Sequence, residues 1–246
     1  MSVPFPVSLE GGRTAAAVPV DQRSDLSAAL AALGLGAPRP VVVLVGGAGR
    51  MHARDLDRLR PLFEQGLVPG AERLGVVVID GGTDAGVMRL IGRARTRAEA
   101  TFPLVGVPAI GTVRFPGKRL GVRRRWPLDA HHTHFVLVPG AAWGDEAPWI
   151  ARVATELAGG SPSVTVLVNG GRIAYTDVAC SLHVGRPVLA VAGSGRTADQ
   201  LARAVSGGPA DERAIRLAAS GLVEVINADD LAAVQDALGA RLQPPV

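Results

Sequence analysis

Five short stretches of this chain place glycines directly after β-branched runs, the pattern by which a backbone turn can approach a phosphate. They are Gly46-Gly47-Ala48-Gly49 after Val41–Val45, Gly81-Gly82-Thr83 after Val76–Asp80, Pro139-Gly140 after Phe135–Val138, Asn169-Gly170-Gly171 after Val164–Val168, and Gly193-Ser194-Gly195-Arg196 after Val188–Ala192. Glycine admits positive φ and leaves room for a ligand against the main chain. A helix starting at such a turn presents unpaired N–H groups and the positive end of its dipole. Taken singly, each turn reads equally well as a tight βα connection that binds nothing. Five together favour a ligand site. Thr83 can cap a helix or bond a phosphate, and Ser194 can donate at a helix start. Arg196 can grip phosphate with its planar fork, and Asp199 can accept from ribose hydroxyls or fix Arg196.

Other residue groups carry weaker chemistry. No G-x-G-x-x-G follows a strand and no Walker lysine follows a glycine turn, so ordinary dinucleotide dehydrogenase and P-loop readings are weak. G-x-S-x-G is absent, so no serine triad can be argued. His131, His132 and His134 are close in sequence. On a strand His132 and His134 would face the same side, as a structural pair or as ligand contacts, and too few further ligands are near for zinc. No metal and no cofactor is expected. Arg114, Lys118, Arg119, Arg123, Arg124 and Arg125, with Trp126 behind them, form a basic cluster. It suits a phosphate-clamping lid, a solvated hairpin, or single-stranded nucleic acid stacked on Trp126. Cys180 sits in an apolar helical stretch and reads as a small buried residue.

The elements that position these turns follow from patterning. The strands are almost wholly apolar and do not alternate, as parallel strands covered on both faces do. The intervening segments have helical spacing: Leu56, Leu59 and Phe63 share a face, as do Ile150, Val153 and Leu157. Leu104–Val107 and Leu222–Ile226 add two plainer strands. The expected fold is α/β, a doubly wound, mostly parallel Rossmann-like sheet with helices on both faces, its turns at the carboxyl edge. Residues 1–37 read as a leader, an edge hairpin around Glu10-Gly11-Gly12 plus a helix over Asp25–Leu35, packed on a main domain of residues 38–246. The chain has 246 residues, 48% apolar and 20% charged, which supports a large core. All but one of its 26 basic residues are arginine, yet the net charge is only +4, too little to indicate nucleic acid by itself. One cysteine, no leader-like apolar segment and no membrane-length apolar run point to the cytoplasm. A homo-oligomer is expected from the apolar helices of such domains.

Three motifs add a family resemblance. Asp80–Gly92 reads DGGTDAGVMRLIG, His132–Val138 reads HTHFVLV, and Gly193–Asp199 reads GSGRTAD. In order and spacing the chain resembles the prokaryotic SLOG/LSDAT family over roughly residues 25–240. That family is related to the cytosolic N-terminal domain of melastatin-type TRP channels, to Lonely Guy proteins and to Smf/DprA proteins. The resemblance implies a Rossmann-like fold and a nucleotide-derived ligand, ADP-ribose-like in the channel relatives. It implies a pocket lined by Gly81, Gly82, Thr83, Gly86, Ser194, Gly195 and Arg196, with the strand of His134 beside it. Lonely Guy enzymes cleave the N-glycosidic bond of nucleoside monophosphates with the glutamate of P-G-G-x-G-T-x-x-E. Here the matching stretch is Pro139-Gly140-Ala141-Ala142-Trp143-Gly144-Asp145-Glu146. It lacks the second glycine and its acid comes one residue early. Asp145 or Glu146 could still assist an oxocarbenium-like transition state, or both could simply favour a helix N-terminus. The expected ligand is therefore a nucleotide-like small molecule, bound or hydrolysed, with single-stranded nucleic acid as the remaining alternative.

Overall fold

A computed structural model describes residues 3–21, 25–114 and 126–243. The N-terminal hairpin pairs β1 (Phe5–Ser8) antiparallel with β2 (Thr14–Pro19) across a turn at Glu10–Gly12. Helix α1 (Leu26–Ala32) turns Leu26, Ala29 and Leu30 inward. Strand β3 (Val41–Gly46) is buried on both faces: Val41, Val43 and Val45 join one core layer, Val42 and Leu44 the other. That two-sided burial is why the strand does not alternate in polarity.

After β3 the chain forms one continuous helical run of α2 (Ala53–Pro61), a π-helical turn (Leu62–Leu67) and α3 (Val68–Leu74). The wide turn accommodates Pro61 and Pro69, which cannot donate to the regular ladder. The alternation then continues through β4 (Val77–Asp80), α4 (Gly86–Arg97) and β5 (Leu104–Gly106). A two-residue pair follows, β6 (Val113–Arg114) with β7 (Trp126–Pro127). Next come β8 (His134–Leu137), α5 (Ala147–Ala158), β9 (Ser163–Val168), α6 (Arg172–His183) and β10 (Val188–Ala192). The chain ends with α7 (Arg196–Val205), α8 (Glu212–Ala218), β11 (Val223–Asn227) and α9 (Leu231–Leu242).

The main sheet runs β1-β2-β8-β5-β4-β3-β9-β10-β11, and every neighbouring pair except β1 with β2 is parallel. The fold is the doubly wound α/β architecture expected from the sequence. One core layer gathers α1, α5, α6, α7 and α8; the other gathers α2 to α4 and α9. The leader strands do more than pack on the sheet, for β2 extends it beside β8. From β3 the chain winds outward through β4, β5 and β8, then returns through α5 to β9 on the other side. The reversal makes the gap between the ends of β3 and β9 a topological switch point, where ligands of such sheets bind. Among the described residues no helix is long and apolar enough to cross a membrane.

Candidate functional site

All five glycine turns lie at the same edge, because the strands they follow are parallel. At the switch point two of them touch. Gly47 N–H donates to the Val168 carbonyl at 3.1 Å, and a Cβ on Gly46 would overlap that oxygen. Only glycine lets the β3 turn lie this close to the end of β9. Beyond it, a Cβ on Gly49 would stand 2.5 Å from the ring of Trp126, so the indole lies against the β3 turn.

The β9 and β10 turns interlock. Asn169 N–H donates to Ser194 Oγ at 2.7 Å, Asn169 Nδ2 donates to the Ser194 carbonyl at 2.8 Å, and Ser194 Oγ donates to the Val191 carbonyl at 2.6 Å. Thr197 Oγ1 donates to the Gly171 carbonyl at 3.0 Å, and Ala198 N–H to the Asn169 carbonyl at 2.8 Å. Asp199 accepts from Gly193 N–H at 2.8 Å, closing the turn on itself. The amides of Gly170 and Gly171 make no hydrogen bond among the described residues and stand at the N-terminus of α6. Arg196 is exposed, has φ +52°, and carries its guanidinium to within 3.2 Å of where a Cβ on Gly171 would be. A non-glycine residue in that conformation is strained, and such strain collects at working sites. The result is two open amides, two helix N-termini and a guanidinium on one side of the crevice.

The β4 turn is held from below by a buried charge cluster. Asp80 Oδ1 accepts from Gly82 N–H at 2.7 Å and meets His132 Nε2 at 2.8 Å, while His132 Nδ1 meets Asp129 Oδ1 at 3.1 Å. All three side chains are buried. With a carboxylate oxygen on each ring nitrogen, both nitrogens must donate, so His132 is an imidazolium. Burial opposes that charge, but the Asp80 charge and the hydrogen bonds His132 donates to Asp129 and Asp80 outweigh it and hold the pKa up at about 10. Asp129 N–H also donates to the Gly82 carbonyl, and Asp84 N–H to the Pro127 carbonyl, both at 3.0 Å. The segment that carries Trp126 is thereby fastened along the β4 turn.

The β8 turn is closed by its own acids. Asp145 Oδ2 accepts from the amides of Ala141 and Ala142, at 2.9 and 3.0 Å, which lowers its pKa. Glu146 accepts from Gly144 N–H at 2.9 Å, and burial raises it. Half-buried Asp177 on α6 is pushed up to about 8 by burial and by the Glu146 charge. Trp143 is 42% exposed in this turn, and a Cβ on the neighbouring Gly144 would lie 3.6 Å from Ile173 in the first turn of α6.

With this geometry in place, comparison with known proteins decides the family. Residues 39–236 match the family described as SLOG in TRPM, prokaryote. The chain belongs to that family. It is similar to transient receptor potential cation channel subfamily M member 2 of Mus musculus, 29% identical over 205 residues, and of Rattus norvegicus, 28% identical over 219 residues. Those matches cover 69% and 75% of this chain but only 14% of each channel subunit. Two solved structures share the fold. One is the structural-genomics target TM1055, with TM-score 0.53, 20% identity, and coverage of 80% of this chain and 98% of that one. The other is the molybdenum cofactor carrier protein of Chlamydomonas reinhardtii, with TM-score 0.52, 16% identity, and coverage of 82% and 97%.

Within this SLOG domain the residues named from sequence divide. Gly46, Gly47, Gly170, Gly171, Gly195 and Arg196 gather around the switch point, and Gly81, Gly82 and Thr83 lie one strand away. Gly86 is used for packing, because its φ of +51° brings α4 against Gly47 and Ala48. The Ser194 hydroxyl is spent on Asn169 and Val191, and Thr83 Oγ1 is turned to Met88 Sδ at 3.3 Å. His134 does not reach the edge. It is the first residue of its strand, half-buried, with Nδ1 at 2.8 Å from Thr133 Oγ1 and its pKa lowered mainly by burial. His132 and His134 part company as well, since His132 precedes β8 and strand alternation does not apply to it. Cys180 is half-buried on α6 rather than fully buried. Arg114 pairs in β6, while Lys118, Arg119 and Arg123 to Arg125 lie outside the described residues. Among the described residues no cluster of His, Cys, Asp and Glu could hold a metal. Asp80, Asp129, Asn169 and Met51 were not singled out as site residues by sequence reasoning. For Asp80 the signal lay in the quoted DGG motif, whose aspartate pairs with His132 of the HTH motif across 52 positions.

Proposed function

We propose that the carboxyl edge binds a nucleotide-derived ligand, of ADP-ribose, NAD or nucleoside-phosphate type, as a sensing or sequestering domain. The observation that carries this reading is the meeting of the Gly170 and Gly171 amides with the Arg196 guanidinium at the switch point. Phosphate oxygens suit that set, since the amides, the α6 and α7 N-termini and the arginine all supply donors and positive potential. Trp126 and Trp143, 37% and 42% exposed, offer flat apolar surfaces for a base. Family membership supports a nucleotide-related ligand, and the channel relatives place such a domain within a much longer protein. In Arg196→Ala, affinity for AMP or ADP-ribose is expected to fall roughly ten- to hundredfold, the worth of a charged hydrogen-bond pair. Adenosine binding should change little. Thermal-shift titration measures both, and equal loss for nucleoside and nucleotide overturns the phosphate role.

A second reading, nucleotide N-glycosidase, is favoured by one observation: Glu146 is held in a burial that raises its pKa, beside a second raised carboxyl, Asp177. Burial disfavours the charged form of both carboxyls, and departure of a base calls for a proton donor. Free base should then appear on incubation with a nucleoside monophosphate or NAD. Glu146→Gln should abolish its release while leaving the ligand-induced thermal shift in place. Undiminished release from that variant removes Glu146 from the chemistry.

A further inference from the structure

The switch-point crevice contains a hydrogen-bond acceptor that nothing else in the described protein uses. Asn169 is the first residue after β9, has φ +60°, and is 2% exposed. Its side-chain bond to the Ser194 carbonyl fixes the orientation of the amide. Nδ2 must face the Ser194 carbonyl, because only a donor can, so Oδ1 is turned the other way. That oxygen is buried and has no partner among the described residues. Leaving an acceptor in this state costs roughly 1–3 kcal/mol, so its persistence asks for a reason.

What lies in front of Oδ1 is the β3 turn. A Cβ on Gly47 would stand 2.6 Å from Asn169 Oδ1 and 2.5 Å from Met51 Sδ. Glycine at position 47 therefore preserves a gap that any other residue would fill, and the thioether of Met51 reaches into it. Met51 is half-buried, and Gly49 and Arg50 before it are exposed. Its unbranched side chain has three rotatable bonds with which to swing out.

We propose that Asn169 Oδ1 accepts a ribose hydroxyl of the bound ligand, and that Met51 is the movable cover over it. This rests on the reading of this edge as a nucleotide site. The choice of donor follows from position. Phosphate oxygens at neutral pH bring no proton to share, and the amides of the next two residues, Gly170 and Gly171, are where the phosphate would sit. The groups of a nucleotide that donate, and that lie a few bonds from the phosphate, are the ribose hydroxyls. A site built to bond a hydroxyl discriminates strongly against the analogue lacking it, because the buried acceptor is then left bare.

The test uses five probes on the full chain by calorimetric titration: AMP, 2′-deoxy-AMP, 3′-deoxy-AMP, ribose 5-phosphate and 2-deoxyribose 5-phosphate. Wild type is expected to bind at least one deoxy analogue roughly tenfold more weakly than its ribose counterpart. Asn169→Gly, which tolerates the positive φ, should level that difference by weakening the ribose ligands. Met51→Ala should tighten the ribose ligands several-fold by uncovering the acceptor. Equal binding of ribose and deoxy probes by wild type overturns the inference while leaving the nucleotide site standing, and needs no variant to fold. Discrimination that survives in Asn169→Gly overturns it as well. Failure of all five probes, and of ADP-ribose and NAD titrated beside them, to bind wild type overturns the reading of the edge, and this inference with it.

Discussion

Gly86→Ala should be the most damaging single-methyl change among the described residues, lowering stability by roughly 4–5 kcal/mol, a loss reserved for a few mechanisms. Two act together here. Gly86 has φ +51°, a region in which an L-residue with a Cβ is strained by about 1–2 kcal/mol. The new Cβ would also overlap the Gly47 carbonyl oxygen and crowd the Ala48 Cα. Both are backbone atoms that cannot rotate away. Gly47 is pinned in turn, since its N–H is bonded to Val168 and its carbonyl to Val87 N–H at 2.9 Å. The start of α4 and the β3 turn would have to separate, opening the switch point. Thermal unfolding should fall by roughly 10 °C for a chain of this size. A shift of only a degree or two would mean that the turn gives way easily. Gly81→Ala is the internal control, because its Cβ would meet only the flexible Met88 side chain at 3.1 Å.

The second large effect belongs to His132. Removing it in His132→Ala leaves Asp80 and Asp129 buried without the cation between them, at a cost of about 3–5 kcal/mol. The same cluster sets an alkaline limit. The imidazolium pKa is about 10 in the folded protein against an ordinary 6.5, so the folded state binds the proton more tightly than the unfolded state does. Its contribution is complete below about pH 6.5, declines as pH rises, and is gone above about 10. Chemical denaturation of wild type from pH 6 to 10 should show that decline, and His132→Ala should be less stable at pH 6 with a much flatter profile. Parallel profiles for the two proteins would mean that His132 carries no charge. Phe135 stacks on the ring at 5.4 Å, so His132→Gln is a useful companion variant that keeps more of the volume. Because Asp80 also accepts from Gly82 N–H, the loss should loosen the β4 turn as well as the fold.

The two predictions separate two kinds of residue at the same edge. Gly86 and the Asp80–His132–Asp129 cluster build the edge, and their loss is read in stability. Arg196 and Met51 are expected to act on what binds there, and their loss should be read in affinity with little change in unfolding; Asn169 does both, because its Nδ2 also holds the buried Ser194 carbonyl.

The apolar, non-alternating runs determined a parallel sheet covered on both faces, because strands such as Val41–Val45 have no solvent-facing side to mark with polar residues. The glycines determined where those strands end and that the turns share one edge, since parallel strands must all point the same way. The motif trio determined the family. What the sequence could not determine was which turn meets which. The winding order puts the ends of β3 and β9 side by side, and nothing local in Gly46 or Gly170 announces that neighbour. Side-chain roles were equally out of reach. Ser194 has the right chemistry to meet a ligand, yet its hydroxyl is spent on Asn169 and Val191. Gly86 looked like a phosphate glycine and serves a helix–turn contact. His134 shares a motif with His132 but begins its strand, and so stands away from the edge that His132 supports. Each of these outcomes depends on which residues the crossovers bring together over tens of positions. A hydrogen bond satisfied inside the protein is not offered to a ligand, and only the folded chain decides which bonds are satisfied.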